Sequence, residues 1–210
     1  MIHRPTFDRE WELRDRGYSL IAGIDEVGRG CIAGPVVAAA IILPMEVDLP
    51  WIARVRDSKE LSVRQRERLF EEIMVSPAII GVGAVHNSDI DENGIVRATK
   101  VAMAKAVEQL AETPDFLLVD ALPLPEISLP QRSIIRGDQL CNSIACASIV
   151  AKVSRDYYMK ELDHVYPGYG LARHKGYPTK QHLVSLRQLG LSPIHRRSFA
   201  PVRRLIEDGP

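Results

Sequence analysis

The sequence lacks the features of secreted, disulfide-stabilised and membrane-spanning proteins. It has only three cysteines, and no two of them form a CxxC pair, so neither a disulfide framework nor a zinc site is predicted. No apolar run approaches the ~20 residues that span a bilayer. The opening residues, MIHRPTFDREWELRDRG, are too charged for a secretory signal. We therefore expect a reduced cytoplasmic protein without a membrane segment.

The chain also lacks internal repeats, low-complexity segments and any obvious linker. Its 210 residues are 46% hydrophobic and 26% charged, a composition typical of a globular protein with one sizeable core. We therefore predict a single domain that spans residues 1–210.

Acidic residues are absent from a long stretch near the C-terminus. Between His164 and Ile206 there are eight Lys or Arg residues and no Asp or Glu, although the formal net charge of the whole chain is zero. Such a stretch is typical of a surface that binds a polyanion. The charges alone are equally compatible with a solvated basic face that has no ligand.

Apolar patterns predict strands that alternate with helices. Short apolar runs predict five strands, over residues 19–25, 35–43, 77–86, 116–120 and 132–136. Helical spacing predicts helices over residues 62–74, 97–112, 143–163 and 179–190. Ser62 is the expected N-cap of the first helix, and the last one ends at Gly190. This order predicts an α/β domain whose C-terminal part is helical and basic.

Two short motifs resemble ligand-binding sites, but each lacks an essential part. Residues 28–33 match the dinucleotide fingerprint G-x-G-x-x-A, which needs a helix to begin at the glycines. Gly34-Pro35 and a β-branched run follow instead, so we predict a second strand. Residues 89–94 resemble the start of an EF-hand loop, but Lys100 stands where a bidentate carboxylate is required. We interpret that segment as a turn leading into the next helix.

Four acidic residues lie beside turns and helix starts, where α/β folds place active sites. Asp25 and Glu26 end the first predicted strand, next to a glycine turn. Asp120 ends the fourth predicted strand, and Asp138 precedes the longest predicted helix. Each also has a structural interpretation, such as a strand-end cap for Asp120 or a helix N-cap for Asp138. If the four converge, their mutual repulsion requires cations, and a set of carboxylates suits Mg²⁺ or Mn²⁺.

The adjacency of Asp25 and Glu26 conflicts with regular strand geometry. Neighbouring strand residues point to opposite faces, so a regular strand cannot direct both side chains into one site. We therefore expect the strand to end or bulge at this point, with Gly28 and Gly30 making the turn.

Several separated segments resemble one family, bacterial ribonuclease HII. The segment IAGIDEVGRGCIAGPVVAAAIIL resembles the opening of that family, whose signature is Asp-Glu-x-Gly-Arg-Gly followed by a Gly-Pro strand. The resemblance continues in the family's order through DSKEL (57–61), LLVDAL (117–122), RGDQLCNSIACASIVAKVSRD (136–156) and HKGYPTKQH (174–182). It implies a ribonuclease H-like mixed sheet of five strands flanked by helices, with additional C-terminal helices.

The resemblance implies an endoribonuclease that hydrolyses the RNA strand of RNA–DNA hybrids and nicks duplex DNA 5′ of a single embedded ribonucleotide. Its products would carry 5′-phosphate and 3′-hydroxyl ends. The family's catalytic, metal-binding acids correspond to Asp25, Glu26, Asp120 and Asp138. The family's chemistry uses two metal ions, here Mn²⁺ or Mg²⁺. We expect Asp138 to be the more peripheral ligand.

The resemblance also implies substrate-binding residues. The turn Gly28-Arg29-Gly30 corresponds to the element that contacts ribose 2′-hydroxyls around the cut. Tyr177 corresponds to a tyrosine that stacks on the deoxyribose past the RNA–DNA junction, and its polar loop argues against burial in the core. Lys59 and Ser148 match positions associated with backbone contacts. Pro178 stands where the family usually has glycine, which stiffens the loop around Tyr177.

We expect the basic stretch, residues 164–206, to form one side of the substrate groove. Its sequence-independent phosphate contacts are assigned to Arg173, Lys175, Lys180, Arg196 and Arg197. No side chain is an obvious general base, and we expect His174 and His182 to contact nucleic acid or to be structural. The sequence shows no recognisable partner-binding tail, so we expect a monomer without an obligate protein partner.

Three other classes of protein would share part of this pattern of acidic residues and motifs. Ribonuclease HIII carries an additional N-terminal platform domain and usually Gly-Lys-Gly, whereas only about 20 residues precede the first strand here. A transposase or resolvase on the same fold would share the clustered acids but not the Gly-Arg-Gly turn with the Lys-Gly-Tyr loop. A hybrid-binding protein without activity is expected to have lost at least one of the four acids.

Overall fold

The computed structural model describes residues 4–208, and a five-stranded mixed sheet lies at its centre. The strands are β1 (Ile21–Val27), β2 (Val36–Ile42), β3 (Ile79–Val85), β4 (Phe116–Asp120) and β5 (Gln131–Ile134). Their order across the sheet is β3-β2-β1-β4-β5. The first three strands form an antiparallel meander, whereas β4 runs parallel to β1 and β5 runs parallel to β4. The carboxyl ends of β1 and β4 therefore lie side by side.

Helices cover the sheet and extend it towards the C-terminus. They are α1 (Asp8–Asp15), α2 (Val63–Met74), α3 (Asn87–Asn93), α4 (Ile95–Glu108), α5 (Asn142–Val165), α6 (Leu171–His174), α7 (Lys180–Leu189) and α8 (Ala200–Asp208). Short 3₁₀ turns lie at Ile52–Arg54 and Gly137–Gln139. None of the helices within residues 4–208 is long and apolar enough to cross a membrane.

The two faces of the sheet are buried under different helices. Every residue of β2 is buried, as expected for a strand with helices on both sides. On one face, Ala39 and Ile41 belong to an apolar cluster with residues of α2 and α5. On the other face, Ala38 and Ala40 belong to a cluster with residues of α4. The result is a three-layer α/β arrangement with α5 as the central helix of one layer.

Helix α5 begins in close contact with β1. A side chain at Gly23 would collide with the backbone of Ser143 in the first turn of α5. Because residues two apart on a strand share a face, Asp25 also points towards α5. The glycine therefore brings the start of the longest helix against the strand that carries Asp25.

The last three helices form a separate layer at one end of α5. Their apolar cluster includes Leu171, Leu186 and Val202, together with Met159 of α5 and Ile32 of the segment between β1 and β2. This packing holds residues 28–35 and the C-terminal helices against each other.

Most of the predicted elements are confirmed, and their ends differ from the prediction by at most four residues. Ser62 caps α2 in a capping box with Gln65, and the segment after Gly34 is a strand and not the helix of a dinucleotide site. The prediction of a turn over residues 89–94 is wrong, because residues 87–93 form α3. That helix is polar and buries only Ile90, so it lacks the apolar periodicity that identified the longer helices. Helix α1 was missed as well, and α6 and α8 were not predicted individually, although they lie in the C-terminal part that was predicted to be helical.

Candidate active site

Three carboxylates meet where β1 and β4 separate. The pairing of these strands stops at Ile24 and Val119, and the next residues are Asp25 and Asp120. Asp25, Glu26 and Asp120 each offer an oxygen that lies within 4.8 Å of the other two. The parallel arrangement of β1 and β4 therefore brings together acids that are about 95 residues apart in the chain.

The expected end or bulge of β1 at Asp25 is wrong. The strand continues to Val27, and its register with β2 is unbroken across Asp25 and Glu26. Two features allow both carboxylates to contribute. Asp25 folds back on the strand, since its Oδ1 accepts a hydrogen bond of 2.7 Å from the backbone N–H of Glu26. The longer Glu26 side chain brings an oxygen within 4.8 Å of oxygens of Asp25 and Asp120, beyond the last residues of β1 and β4 that pair with each other.

The carboxylate cluster is electrostatically unbalanced. Burial, followed by the charges of Glu26 and Asp120, raises the pKa of Asp25 well above its ordinary value. Burial also raises the pKa of Asp120, against the lowering effect of a 2.8 Å hydrogen bond from the N–H of Gly137. Both shifts favour a neutral acid because nearby negative charge and low solvation oppose ionisation.

The same cluster fits a divalent cation. Its donors are hard carboxylate oxygens, which Mg²⁺ and Mn²⁺ prefer. Glu26 Oε2 is buried and, among the residues that the structure describes, has no hydrogen-bond partner. A cation would satisfy that oxygen and offset the repulsion that raises the pKa of Asp25.

Asp138 lies next to the cluster but outside the group of three. It is buried on the 3₁₀ turn Gly137–Gln139, before the start of α5 at Asn142. Its Oδ2 lies 3.7 Å from Nζ of Lys59, whose side chain is 82% exposed. Burial, together with the charges of Asp57 and Asp120, raises the pKa of Asp138 to about 6. Its role as a more peripheral metal ligand stays a prediction.

Asp57 is a buried acid of the site that the sequence analysis did not single out. Its Oδ1 accepts a hydrogen bond of 2.9 Å from the N–H of Lys59, and its Oδ2 accepts one of 3.2 Å from Nε2 of Gln139. It therefore joins the loop before α2 to the turn that carries Asp138. The segment DSKEL was recognised, but nothing in its spacing distinguished Asp57 from an ordinary turn residue.

Ser148 does not project into solvent. It is buried on α5, its hydroxyl lies 2.9 Å from that of Ser58, and it lies close enough to Asp25 to lower the pKa of that carboxyl. The structure thus places Ser148 behind the carboxylate cluster, whereas Lys59 lies in front of it and reaches solvent.

The turn after β1 has one constrained and one open glycine. Gly28 has φ +95°, and a Cβ there would collide with the buried side chain of Arg155. Gly30 has an ordinary φ, and the nearest atom to a Cβ there would be Cε1 of Tyr177 at 4.0 Å. Between them, Arg29 donates a hydrogen bond of 3.1 Å to Oε1 of Glu26. The turn therefore links the carboxylate cluster to Tyr177.

Tyr177 lies on an exposed loop beside this turn. Its side chain is 40% exposed, which agrees with the expectation that it is not a core residue. The loop is fixed by a hydrogen bond of 2.8 Å from the N–H of Ile32 to the carbonyl oxygen of Gly176. Gly176 has φ +82°, and a side chain there would collide with the carbonyl of Ala33.

Three non-glycine residues within residues 4–208 adopt the left-handed conformation, and each is next to a residue described above. Ala121 follows Asp120, Arg136 begins the turn that carries Asp138, and Lys175 begins the loop that carries Tyr177. This conformation is disfavoured for residues with a Cβ. Such strain concentrates at functional sites, where the surrounding structure holds it in place.

Arg196 does not lie on the basic surface, so its predicted contact with phosphate is wrong. It is fully buried and donates to backbone carbonyls, at 2.9 and 3.0 Å to Gly34 and at 3.1 Å to Arg29. Arg155, also fully buried, donates to the carbonyls of Ala33, Pro35 and Lys175. The segment after β1 has no regular structure of its own, and these guanidinium groups satisfy its carbonyl oxygens. The other assigned residues are exposed or half-buried, namely Arg173, Lys175, Lys180 and Arg197.

The structural interpretation of His174 and His182 is confirmed, and a contact with nucleic acid is excluded by their burial. Both are buried, and their rings stack at 4.1 Å. His195, which the sequence analysis did not consider, packs beside them and is also buried.

Comparisons with known proteins agree on one family. The family model described as ribonuclease HII matches residues 22–202. A ribonuclease HII of Dehalococcoides mccartyi (strain BAV1) is 56% identical over 203 residues, which cover 97% of this chain and 96% of the relative. A ribonuclease HII of Desulfitobacterium hafniense (strain Y51) is 53% identical over 198 residues, which cover 94% of this chain and 75% of the relative.

Solved structures agree with the fold. The crystal structure of ribonuclease H2 from Pyrococcus horikoshii OT3 superposes on this structure with a TM-score of 0.75 at 25% sequence identity. The superposition covers 90% of this chain and 98% of that one. A Bst-RNase HIII in complex with Mn²⁺ has a TM-score of 0.68 at 20% identity, with 91% of this chain and 70% of that one covered, and so shows the fold alone. The mixed sheet with flanking helices is therefore a ribonuclease H-like fold. With the family match and the relatives at 50% identity and above, the chain belongs to the ribonuclease HII family and is an endoribonuclease of the ribonuclease H type.

Proposed function

We propose that this ribonuclease H, besides hydrolysing the RNA strand of RNA–DNA hybrids, nicks duplex DNA on the 5′ side of a single embedded ribonucleotide. The products would carry 5′-phosphate and 3′-hydroxyl ends. One observation carries the proposal: the glycine turn, which is bonded to the carboxylate cluster through Arg29 and Glu26, also lies against Tyr177. A nucleotide sugar in front of the cluster would therefore be next to both elements.

Asp25, Glu26 and Asp120 are the residues that would hold divalent cations, with Asp138 as the peripheral ligand of a second ion. Two ions would neutralise charge on the attacking water and on the leaving oxygen. Asp25 is held in place by the N–H of Glu26, and Asp120 by the N–H of Gly137. These bonds fix the carboxylates before substrate arrives, which reduces reorganisation during the reaction. Either Mn²⁺ or Mg²⁺ suits such a set of oxygens.

Selectivity for RNA would come from the turn Gly28-Arg29-Gly30. The 2′-hydroxyl is what distinguishes RNA from DNA at one sugar. Gly30 has no steric need to be glycine, since nothing within 4 Å except Tyr177 would meet a Cβ there. Its missing side chain would instead let backbone groups approach a ribose closely. The exposed ring of Tyr177 would pack on the following deoxyribose.

The basic C-terminal part, residues 164–206, would form one side of the groove that binds the duplex, within a single domain spanning residues 1–210. Its exposed residues Arg173, Lys180 and Arg197 would contact phosphates. Lys59, with a side chain that is 82% exposed and lies 3.7 Å from Asp138, would do so next to the cleaved bond. We expect the enzyme to act as a monomer without an obligate protein partner.

The experiment is cleavage of a DNA duplex with one ribonucleotide, beside a continuous RNA–DNA hybrid, with Mn²⁺ or Mg²⁺ and with the cut mapped to the nucleotide. We expect a cut 5′ of the ribonucleotide with a 3′-hydroxyl end. Asp25→Asn should reduce both reactions by ~10³-fold, as removal of other catalytic groups does. Glu112→Gln, an exposed acid outside the site, is the matched control and should cleave like the wild type. If only the continuous hybrid is cut, the proposed roles of the turn and Tyr177 are wrong.

A further inference from the structure

A chain of buried histidines connects the Tyr177 loop, residues 175–179, to the segment after β1. His182 Nδ1 lies 2.9 Å from the carbonyl oxygen of Tyr177, and His182 Nε2 lies 3.2 Å from Nε2 of His195. The side chains are 0% and 2% exposed, respectively. His195 in turn forms an isolated bridge with Ala33.

The partners of each ring nitrogen fix where the protons lie. A carbonyl oxygen only accepts, so His182 Nδ1 donates to Tyr177 and leaves Nε2 as an acceptor. His195 Nδ1 lies near three groups of Ser192, the backbone N–H at 3.1 Å, the hydroxyl at 2.8 Å and the carbonyl oxygen at 3.4 Å. Because His182 Nε2 is an acceptor, its contact with His195 Nε2 is a hydrogen bond only if His195 Nε2 donates, and His195 Nδ1 then accepts from the N–H and the hydroxyl of Ser192. The proton of neutral His195 is then on Nε2, where it points at His182 Nε2. Both rings are thus satisfied only as one pair of neutral tautomers.

The chain continues directly into the glycine turn. Arg196 follows His195, and its backbone N–H donates to the carbonyl of Ile32 at 2.8 Å. Its guanidinium donates to the carbonyl of Arg29 at 3.1 Å. Three hydrogen bonds, joined by the peptide link between His195 and Arg196, therefore connect Tyr177 on one side of the candidate substrate site to Arg29 on the other. At Arg29 the series meets the carboxylate cluster, because the Arg29 guanidinium donates to Glu26.

We propose that His182 and His195 are positioning residues that set the distance between Tyr177 and the turn Gly28-Arg29-Gly30, and that this distance determines how strongly the enzyme prefers a ribonucleotide–deoxyribonucleotide junction to a continuous hybrid. This inference rests on the proposed function, since it assigns a specificity role to the same site. A continuous hybrid presents many equivalent riboses and tolerates a small displacement. A single junction must meet both elements at once, so the displacement of one of them reduces its cleavage selectively.

Two substitutions of His195 separate this role from a general contribution to folding. In His195→Gln, the amide nitrogen can occupy the place of Nε2 and still donate to His182, but the bond from Ser192 is lost. In His195→Asn, the amide oxygen can occupy the place of Nδ1 and still accept from Ser192, but the bond to His182 is lost. Both remove a buried imidazole, and only the second interrupts the chain. Thr99→Ala removes a buried hydroxyl on α4 that donates to the carbonyl of Ile95 and controls for destabilisation alone.

The measured quantity is the ratio of kcat/KM for the duplex with one ribonucleotide to kcat/KM for the continuous hybrid. We expect a roughly ten-fold lower ratio in His195→Asn, the effect of one buried hydrogen bond, and a near wild-type ratio in His195→Gln and Thr99→Ala. Tyr177→Ala should lower the ratio as well, and its combination with His195→Asn should lower it no further, because both act through one element. Equal losses on both substrates, an unchanged ratio in His195→Asn, or additive losses would overturn the proposal. Failure of the proposed function is seen separately, as a wild-type enzyme that does not nick at the single ribonucleotide.

A second readout does not depend on activity. The ¹⁵N chemical shifts of the labelled full chain report which ring nitrogen of each histidine is protonated. We expect a protonated Nδ1 in His182 and a protonated Nε2 in His195. In His182→Asn, whose amide can keep the bond to Tyr177 but cannot reach His195, the specificity ratio should fall as it does in His195→Asn. The opposite tautomers in the wild type, or a wild-type ratio in His182→Asn, would contradict the chain of hydrogen bonds.

Discussion

Asp120 Oδ1 accepts a hydrogen bond of 2.8 Å from the backbone N–H of Gly137. This bond ties the end of β4 to the 3₁₀ turn that carries Asp138, so that acids from separate elements are held at one end of the sheet. A Cβ at Gly137 would lie 2.5 Å from Cδ1 of Ile144, so a larger residue there would require the Ile144 side chain to move. Protein contacts therefore hold these acids together despite the repulsion among their buried carboxylates.

The repulsion predicts that an inactivating substitution stabilises the free protein. Asp25→Asn removes a buried carboxyl group, whose pKa is raised by burial and by the charges of Glu26 and Asp120. In the absence of metal we expect its Tm to rise by a few degrees, where ~1 kcal/mol corresponds to about 2–4 °C for a protein of this size. Thermal unfolding of both proteins in EDTA measures the difference. A lower Tm for Asp25→Asn would mean that its hydrogen bonds outweigh the repulsion.

The two glycines of the turn should respond differently to alanine. Gly28→Ala must place a Cβ at positive φ and against Arg155, which we expect to destabilise the fold by at least ~1–2 kcal/mol. Gly30→Ala meets no atom closer than 4.0 Å and should fold like the wild type but bind a hybrid more weakly. Chemical denaturation and hybrid binding in Ca²⁺ test the pair. A Gly30→Ala protein with wild-type affinity would argue against a close approach of the ribose.

Alanine substitutions of the consecutive residues Arg196 and Arg197 should have different effects, one on stability and the other on hybrid binding. Arg196 is buried among carbonyl oxygens, and Arg197 is exposed. We expect Arg196→Ala to lower Tm strongly. Arg197→Ala should leave Tm unchanged, weaken hybrid binding, and reduce the slope of log K against log salt by about 1. Binding measured over a salt series checks this, and the reverse assignment of the two effects would contradict the burial of Arg196.

The histidine chain predicts a loss of stability in acid. Burial lowers the pKa of His182 and of His195 to about 4, from an ordinary 6.5. As pH falls from 6.5 towards 4, the unfolded chain binds protons that the folded protein does not, so the free energy of unfolding decreases, by ~1.4 kcal/mol for each pH unit and histidine. Above 6.5 both states are neutral and the contribution is complete. Urea denaturation across this range should give a shallower pH dependence for His195→Gln than for the wild type, whereas parallel curves would count against the lowered pKa of His195.

Helix α1 should stabilise the protein through one buried contact. Glu10 Oε1 accepts hydrogen bonds of 3.0 and 2.7 Å from the N–H and hydroxyl of Ser143 in the first turn of α5. Glu10→Ala should lower the free energy of unfolding by ~1–2 kcal/mol, as loss of a helix cap does. Burial raises the pKa of Glu10, so Glu10→Gln, which keeps an acceptor without the charge, should be close to the wild type. Equal destabilisation by both substitutions in urea would show that the charge itself is needed.

The sequence predicted the elements with strong periodicity and the acids at their ends. β4 was predicted to the residue, because four apolar residues precede Asp120 at a clear boundary. The short helix α3 was not, since its single buried residue, Ile90, gives no pattern. The burial of Arg196 could not be predicted from the charge pattern either, since the sequence does not distinguish exposed from buried arginines within a basic stretch.

The geometry of the site could not be predicted from the sequence, because it depends on contacts between segments that are distant in the chain. The expectation that β1 must bulge at Asp25 followed a correct rule about strand faces, but the rule does not describe a strand edge where the neighbouring strand has ended. Asp57 was missed because its partners, Lys59 and Gln139, belong to two segments about 80 residues apart. The histidine chain likewise joins residues whose relation is fixed by tertiary packing.

The most direct test is a titration with Mn²⁺ that follows two quantities together. Electron paramagnetic resonance of the free ion measures Mn²⁺ binding, and a parallel assay measures cleavage of an RNA–DNA hybrid. We expect Asp25→Asn and Asp120→Asn to lose tight Mn²⁺ binding and cleavage together, Asp138→Asn to retain part of the binding, and the control Glu112→Gln to behave like the wild type. Wild-type Mn²⁺ binding or wild-type cleavage in Asp25→Asn would contradict the assignment of the carboxylate cluster as the metal centre.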